Sequence, residues 1–190
     1  MATIEVLLPS VKALRKALED RDIAALRKIS NSAIDSTAME NGEESFLTAL
    51  VSYMLSKLIT KTHYWGIKEK AKFIGAVLKK LDKCVESLEQ GDSKPYLNTM
   101  QQVIEEMRAL ELADPRYVQN FEMKARTKLA SRLYAQGFSL SLAAALTGAH
   151  KRDLMQFSGR TLIADHTEKT KSMEERLSHV RRLFSEGGAA

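Results

Sequence analysis

The sequence predicts an all-α protein, in which an N-terminal helical bundle precedes a smaller helical domain. Three observations lead to this fold class. The chain of 190 residues contains only three prolines and nine glycines. Its apolar residues recur at the 3.6-residue period of an α-helix, not in the alternation of a strand. Runs of β-branched residues, which favour strands, are few.

Five amphipathic segments predict the bundle over residues 1–112. Pro9 is easiest to place in the first turn of the first helix, which favours a start later than Ile4. Asp22 is the N-cap candidate of the second helix. The apolar stripe of the third helix is too wide for a surface helix, so we expect it to be central. The five segments cover about residues 4–19, 22–38, 43–64, 67–90 and 94–112.

A second domain is expected over residues 114–171. Asp114 and Pro115 predict the start of a sixth helix, because Asp is a good N-cap and Pro is tolerated at the first helical position. This helix should run to Gln136 and end at Gly137. A further helix is expected over residues 172–184, followed by a disordered tail over 185–190.

The stretch GFSLSLAAALTGAHKRDLMQFSG, residues 137–159, predicts two short helices joined by a tight turn. Ser139 or Ser141 would cap the first helix, and Gly148 would end it in the left-handed conformation. Ala144 supplies a small side chain where the two helix axes cross. Leu154 and Phe157, with Ala149, have the spacing of inward-facing residues on the second helix.

Residues 137–160 resemble the helix-turn-helix of bacterial and archaeal transcription regulators and of small antitoxin-type DNA-binding proteins. The usual core, apolar-Ala-x-x-x-Gly-Val-Ser, aligns with residues 143–150. Two positions differ, because Ala149 replaces a branched residue and His150 replaces a Ser or Thr cap. The resemblance implies a helix-turn-helix domain that binds double-stranded DNA in transcription regulation, with its second helix in the major groove.

The positive charge lies in the C-terminal part of the chain. Residues 1–115 contain 16 lysines and arginines and 17 acidic residues, whereas residues 116–190 contain 13 and 7. Residues 116–160 alone contain eight basic and two acidic residues. A polyanionic partner is the simplest interpretation, because cationic side chains near phosphates release counterions. A solvated basic face is the alternative.

The hypothesis of DNA binding assigns roles residue by residue. Residues predicted to read base edges are His150, Lys151, Arg152 and Gln156. Residues predicted to contact the DNA backbone are Arg126, Lys128, Arg132, Ser139, Arg160 and Thr161. Residues that would shape the motif itself are Ala144, Gly148, Leu154 and Phe157.

The sequence gives little support to catalysis, metal binding or membrane insertion. The single Cys84 has no cysteine or histidine cluster around it, and the four histidines lack ligand spacing. Phosphate-binding glycine motifs and paired acidic nuclease motifs are also absent. We therefore expect no cofactor, no metal and no enzymatic activity. The lone cysteine fits a reducing compartment, so a cytoplasmic protein is expected. No segment approaches the roughly 18 apolar residues of a membrane span.

Alternatives to a DNA-binding regulator remain open. The helix-turn-helix could pack on a protein partner, as in an interaction adaptor. A helical RNA-binding protein or ribonuclease using Arg160 and His166 is a third interpretation. Regulators of this kind usually act as homodimers, and either the bundle or the last helix would pair the chains. Packing of that helix on its own chain is slightly favoured, and the sequence identifies no small-molecule ligand of the bundle.

Overall fold

The computed structural model describes residues 4–40, 42–60, 67–92, 94–113 and 120–160. These residues form eight α-helices and no strand, which confirms the all-α prediction. The helices are α1 (Ile4–Glu19), α2 (Ile23–Glu40), α3 (Glu43–Thr60), α4 (Ile67–Glu89), α5 (Lys94–Ala113), α6 (Phe121–Ala135), α7 (Leu140–Thr147) and α8 (Lys151–Arg160). Among the described helices, none combines the length and apolar character needed to cross a bilayer.

Helix α3 is the interior helix, as its wide apolar stripe predicts. It packs against α1, α2, α5 and α6, and most of its side chains are buried. Four of its hydroxyl groups are tolerated there because they bond to backbone carbonyls, as Ser52 does with the carbonyl of Thr48 at 2.7 Å. Tyr96 of α5 likewise donates to the carbonyl of Glu44 at 3.0 Å. Burial raises the pKa of that phenol.

Helix α1 covers Ile4–Glu19, which confirms the predicted range, and it does not start later on account of Pro9. The helix starts at Ile4, so Pro9 lies in its second turn and not in its first. A proline there removes one N–H donor toward the carbonyl of Glu5. Burial of Leu7, Val11 and Leu14 against the core offsets this loss, because most helix stability in proteins comes from packing of the apolar face.

The start of α6 also differs from the sequence prediction. Asn120 adopts a left-handed conformation with φ of 62° and ψ of 40°, so the helix begins at Phe121. A single left-handed residue interrupts an α-helix because its φ has the wrong sign. The predicted start at Asp114 and Pro115 lies outside the described residues.

Helix α6 connects the N-terminal helices with the last two. It packs against α2, α3 and α5 on the one hand and against α7 and α8 on the other. Its buried Leu129 and Leu133 belong to the same hydrophobic core as Leu50 of α3 and Leu154 of α8. The position of α8 is therefore fixed through α6 to the core of the whole described chain.

Candidate nucleic-acid interface

Helices α7 and α8 are joined by a short turn at Gly148. Ser139 caps α7, since its side-chain oxygen accepts a hydrogen bond from the amide of Leu142 at 3.1 Å. Gly148 follows the last residue of α7 and has φ of 65° and ψ of 20°, the left-handed conformation expected from the sequence. Both α7 and α8 pack on α6, and they also contact each other.

Thr147 stabilises this turn, a role that was not predicted from the sequence. The residue is fully buried, and its hydroxyl donates to the carbonyl of Ala143 at 2.8 Å. The same oxygen accepts from the amide of Ala149 at 3.3 Å. A threonine directly before the glycine that ends a helix is a local signal for such a contact.

The inner face of α8 consists of the residues expected there. Leu154 is fully buried, Ala149 is nearly so, and Phe157 is half-buried. The ammonium group of Lys128 on α6 lies 5.3 Å from the centre of the Phe157 ring, within the range of a cation–π contact. Ala144 on α7 is also buried, which is consistent with close approach of the helices.

The outer face of α8 is polar and accessible. His150, Lys151, Arg152 and Gln156 are all exposed, and so is the apolar Met155. Lys151 donates to the hydroxyl of Ser141 at 2.8 Å, which links the start of α8 to α7. Within the described part of the chain, neither Lys151 nor Arg152 forms an ion pair with a carboxylate. The predicted base-reading residues therefore share one free face.

The side chain of Arg126 bonds to other parts of the protein. It pairs with Glu122 at 2.8 Å and donates to the carbonyl of Thr147, at the end of α7, at 2.7 Å. Its guanidinium also lies 5.5 Å from the centre of the Phe46 ring of α3. These contacts hold α7 to α6 and α3. We therefore assign Arg126 a positioning role, because its Nε and Nη1 atoms donate to Glu122 and Thr147. Its contact with the DNA backbone stays a prediction.

Glu122 completes this arrangement. Its side chain is only 10% exposed and is paired with both Arg108 of α5 and Arg126. Burial alone would raise the pKa of Glu122, but the hydrogen bonds and charges of the two arginines outweigh it and lower the pKa. A cavity of about 520 Å³ lies beside these groups, between α7 and helices α3, α5 and α6. Its mixed acidic and basic lining selects no single class of ligand.

Lys128 and Arg132 lie together on α6, facing α2 and α3. Arg132 donates to the side-chain carbonyl of Asn31 on α2. The pKa of Lys128 is lowered, first by burial and then by the charges of Arg132 and Lys57. Both residues line a pocket beside α2. Lys128 also contacts Phe157, on the inner face of α8.

The remaining predicted contacts are partly outside the described residues. The Ser139 hydroxyl caps α7 and is exposed, so its hydrogen remains available as a donor. The side chain of Arg160, Thr161 and the alternative ribonuclease residue His166 lie beyond the described part. The same holds for the helix expected over 172–184 and the tail over 185–190.

No metal site is present within the part of the chain that the structure describes. No group of three or more histidine, cysteine, aspartate or glutamate side chains occurs there at ligating distance. Cys84 is fully buried, and burial raises the pKa of its thiol. A buried thiol of this kind is a small apolar core residue.

Comparisons with known proteins do not place this chain in a family. No protein-family model matched it, and neither a curated protein nor a solved structure was found to match it. The interpretation of α7 and α8 therefore rests on their own residues and geometry.

Proposed function

We propose that this protein binds double-stranded DNA as a transcriptional regulator and inserts α8 into the major groove. One observation carries the proposal. The outer face of α8 presents His150, Lys151, Arg152 and Gln156 to solvent, while Leu154 anchors the opposite face in the core. A rigid helix with free donors on one face is the geometry that major-groove recognition requires.

The donors differ in what they can recognise. Lys151 and Arg152 can donate to the O6 and N7 atoms of guanine, and Gln156 can bond to both edge atoms of adenine. His150 precedes α8 and can contact either a base or a phosphate. Backbone contacts would come from Lys128, Arg132 and Ser139, together with Arg160 and Thr161. Arg126 would act indirectly by holding α7 in place.

The proposal assigns separate roles to the two parts of the chain. Residues 1–112 would form a bundle for sensing or dimerisation, and residues 114–171 would form the helix-turn-helix domain. The excess of basic residues over 116–160 supports this division, because phosphate neutralisation is needed only on the DNA-binding part. A homodimer would place two α8 helices on half-sites about one helical turn apart. Such a regulator would act in the cytoplasm of a prokaryote.

The experiment measures binding of the full chain to a fluorescent duplex of random sequence over a range of salt concentrations. We expect binding at low salt and a linear fall of log K with log salt. The variant K151A/R152A should weaken binding about tenfold or more, because each charge-assisted contact contributes more than 1 kcal/mol.

The matched control is K79A/K83A, which removes the same charge from exposed positions on α4. This control should bind the duplex like the unmodified protein. Absence of binding at low salt would refute the proposal, and so would equal losses in the two double variants. Where binding is found, selection of bound fragments from genomic DNA would then identify the target sequence.

A protein-interaction adaptor is the second candidate. Leu142 on α7 is 44% exposed and Met155 on α8 is 61% exposed. A contiguous apolar patch that included both side chains would suit a protein interface, although Met155 could also contact a thymine methyl group. Duplex binding by the unmodified chain separates the two, and the variant M155A tests the contact of Met155. Under the adaptor interpretation the unmodified chain binds no duplex, whereas under the DNA interpretation M155A changes sequence preference and leaves the salt dependence intact.

A further inference from the structure

A small pocket on the side of the molecule is surrounded by positive charge. It has a volume of about 220 Å³ and lies between α2, α3 and α6. The residues that line it are Arg27, Asn31, Tyr53, Lys128, Leu129 and Arg132. A fourth cation is close by, because the ammonium group of Lys57 lies 5.5 Å from the centre of the Tyr53 ring. Helices far apart in sequence thus bring four basic side chains to one place.

These charges have no acidic partner among the described residues. Neither Arg27, Lys57, Lys128 nor Arg132 forms an ion pair there. Asp35, one turn along α2 from Asn31, accepts from Gln136 at 2.6 Å instead. Like charges held together without a counter-ion repel each other, and the lowered pKa of Lys128 reflects this repulsion in addition to burial. An anion in the pocket would relieve it.

The pocket also offers neutral donors. The hydroxyl of half-buried Tyr53 has no hydrogen-bond partner within the described chain. Asn31 uses its side-chain oxygen to accept from Arg132, which leaves its amide hydrogens available. Two guanidinium groups, an ammonium group, a phenol and an amide therefore belong to side chains that line one pocket. This combination matches the several acceptor oxygens of a phosphate group.

Size and charge indicate the class of ligand. Pockets for drug-sized molecules have volumes of about 300–1,000 Å³, so 220 Å³ fits one small anionic group better than a whole nucleotide. A phosphate monoester carries about −1.5 to −2 charges at pH 7, which suits four nearby cations better than a single carboxylate does. The cluster is also open to solvent at Arg27 and Asn31, so a group can enter.

We propose that Arg27, Tyr53, Lys128 and Arg132 form a binding site for a phosphate group. The phosphate can come from a free phosphate or phosphomonoester, or from the backbone of the duplex that contacts α8. Only the second source rests on the function proposed above. Lys128 lies between the two sites, because it lines the pocket and also contacts Phe157 of α8.

The first arm of the experiment tests free phosphate with the full chain. Thermal unfolding is compared in inorganic phosphate and in chloride at equal ionic strength for the unmodified protein, R27Q and K28Q. Lys28 is the matched control, because it is exposed beside Arg27 and does not line the pocket. At about five times its Kd, phosphate should raise Tm by about 2–4 °C in the unmodified protein and K28Q. R27Q should lose most of this rise, as should Y53F.

Comparison with K28Q also separates specific binding of phosphate from its general stabilising effect on folded proteins. Phosphate stabilises folded proteins non-specifically by exclusion from their surfaces, and this effect is the same for R27Q and K28Q. The second arm measures duplex binding against salt for the same three proteins. A backbone phosphate in the pocket should lower the salt slope by about 0.9 in R27Q and leave it unchanged in K28Q.

The outcomes are separable. A loss specific to R27Q in the first arm supports a free phosphate, and one in the second arm supports the duplex. If R27Q and K28Q behave alike in both arms, the site does not exist, even where duplex binding itself is strong. If the unmodified protein binds no duplex but phosphate stabilises it through Arg27, the pocket stands and the DNA-binding function fails.

Discussion

Substitution of Gly148 by alanine tests the turn between α7 and α8. A side chain in the left-handed conformation costs roughly 1–2 kcal/mol, and Gly148 has φ of 65°. An added Cβ would also lie 3.1 Å from Nη1 of Arg126, so the guanidinium must move. Its hydrogen bond to the carbonyl of Thr147 would then weaken. Because such charge-assisted bonds contribute about 1.5–3 kcal/mol, partial loss adds about 1 kcal/mol.

The expected total for G148A is a loss of about 2–3 kcal/mol in the free energy of unfolding, measured by urea denaturation followed by circular dichroism. In thermal unfolding this corresponds to a fall in Tm of roughly 4–12 °C for a chain of this size. Gly91 supplies the matched control. Its φ is 83°, but no atom lies within 4 Å of an added Cβ, so G91A should cost only about 1–2 kcal/mol.

Substitution of a third glycine should have the opposite effect on stability. Gly75 lies inside α4 with open space around it, so G75A should stabilise the protein by about 0.5–1 kcal/mol through helix propensity. Equal losses for G148A and G91A would refute the role of Arg126. A neutral G91A would refute the strain attributed to the left-handed conformation. In an R126M background, the extra loss of G148A over G91A should disappear.

Two further predictions concern the contacts that hold α6, α7 and α8. The folded-state pKa of Glu122 is lowered, so its stabilising contribution is present above its unfolded pKa and is lost as the pH falls through the folded pKa. The free energy of unfolding of E122Q, measured by urea denaturation, should therefore be lower by about 1–2 kcal/mol at pH 7 and approach that of the unmodified protein below about pH 4. The control E89Q removes an exposed pair with Lys12 and should show no such pH-dependent difference. L154A should lower the free energy of unfolding by about 2–5 kcal/mol because this side chain is fully buried. M155A, at the neighbouring but 61% exposed position, should change it by less than about 0.5 kcal/mol. Similar values for both variants would contradict the assigned faces of α8.

Local sequence signals predicted most of the helices. Asp22 caps α2, where its carboxylate accepts from the amide of Ala25 at 2.9 Å, and Ser139 caps α7. These predictions succeed because capping depends on residues within one turn. The alternation of buried Leu154 with exposed Lys151 and Met155 on α8 is likewise a property of helical period.

Interactions between distant residues could not be predicted in the same way. Arg126 has the same local features as any surface arginine, and only packing against α3 and α7 brings it to Phe46 and Thr147. Asn31 and Arg132 are 101 residues apart, so no periodicity indicates their contact. The pocket lined by Arg27, Lys128 and Arg132 could not be predicted from the sequence for the same reason. Asn120 was missed because a left-handed residue within an amphipathic pattern leaves that pattern intact.

Helix α6 packs against both the N-terminal helices and the last two helices, and this determines which parts of the molecule can unfold locally. Amide groups on α8 become accessible when this helix leaves α6 and α7 and its own helical hydrogen bonds open, and this step leaves the contacts of α6 with α2, α3 and α5 in place. Amide groups on α6 require both sets of contacts to break. Opening of α6 is therefore close to global unfolding, while α8 can open in a smaller and less costly step. The helix with the free donors is thus bound to the fold on one side only.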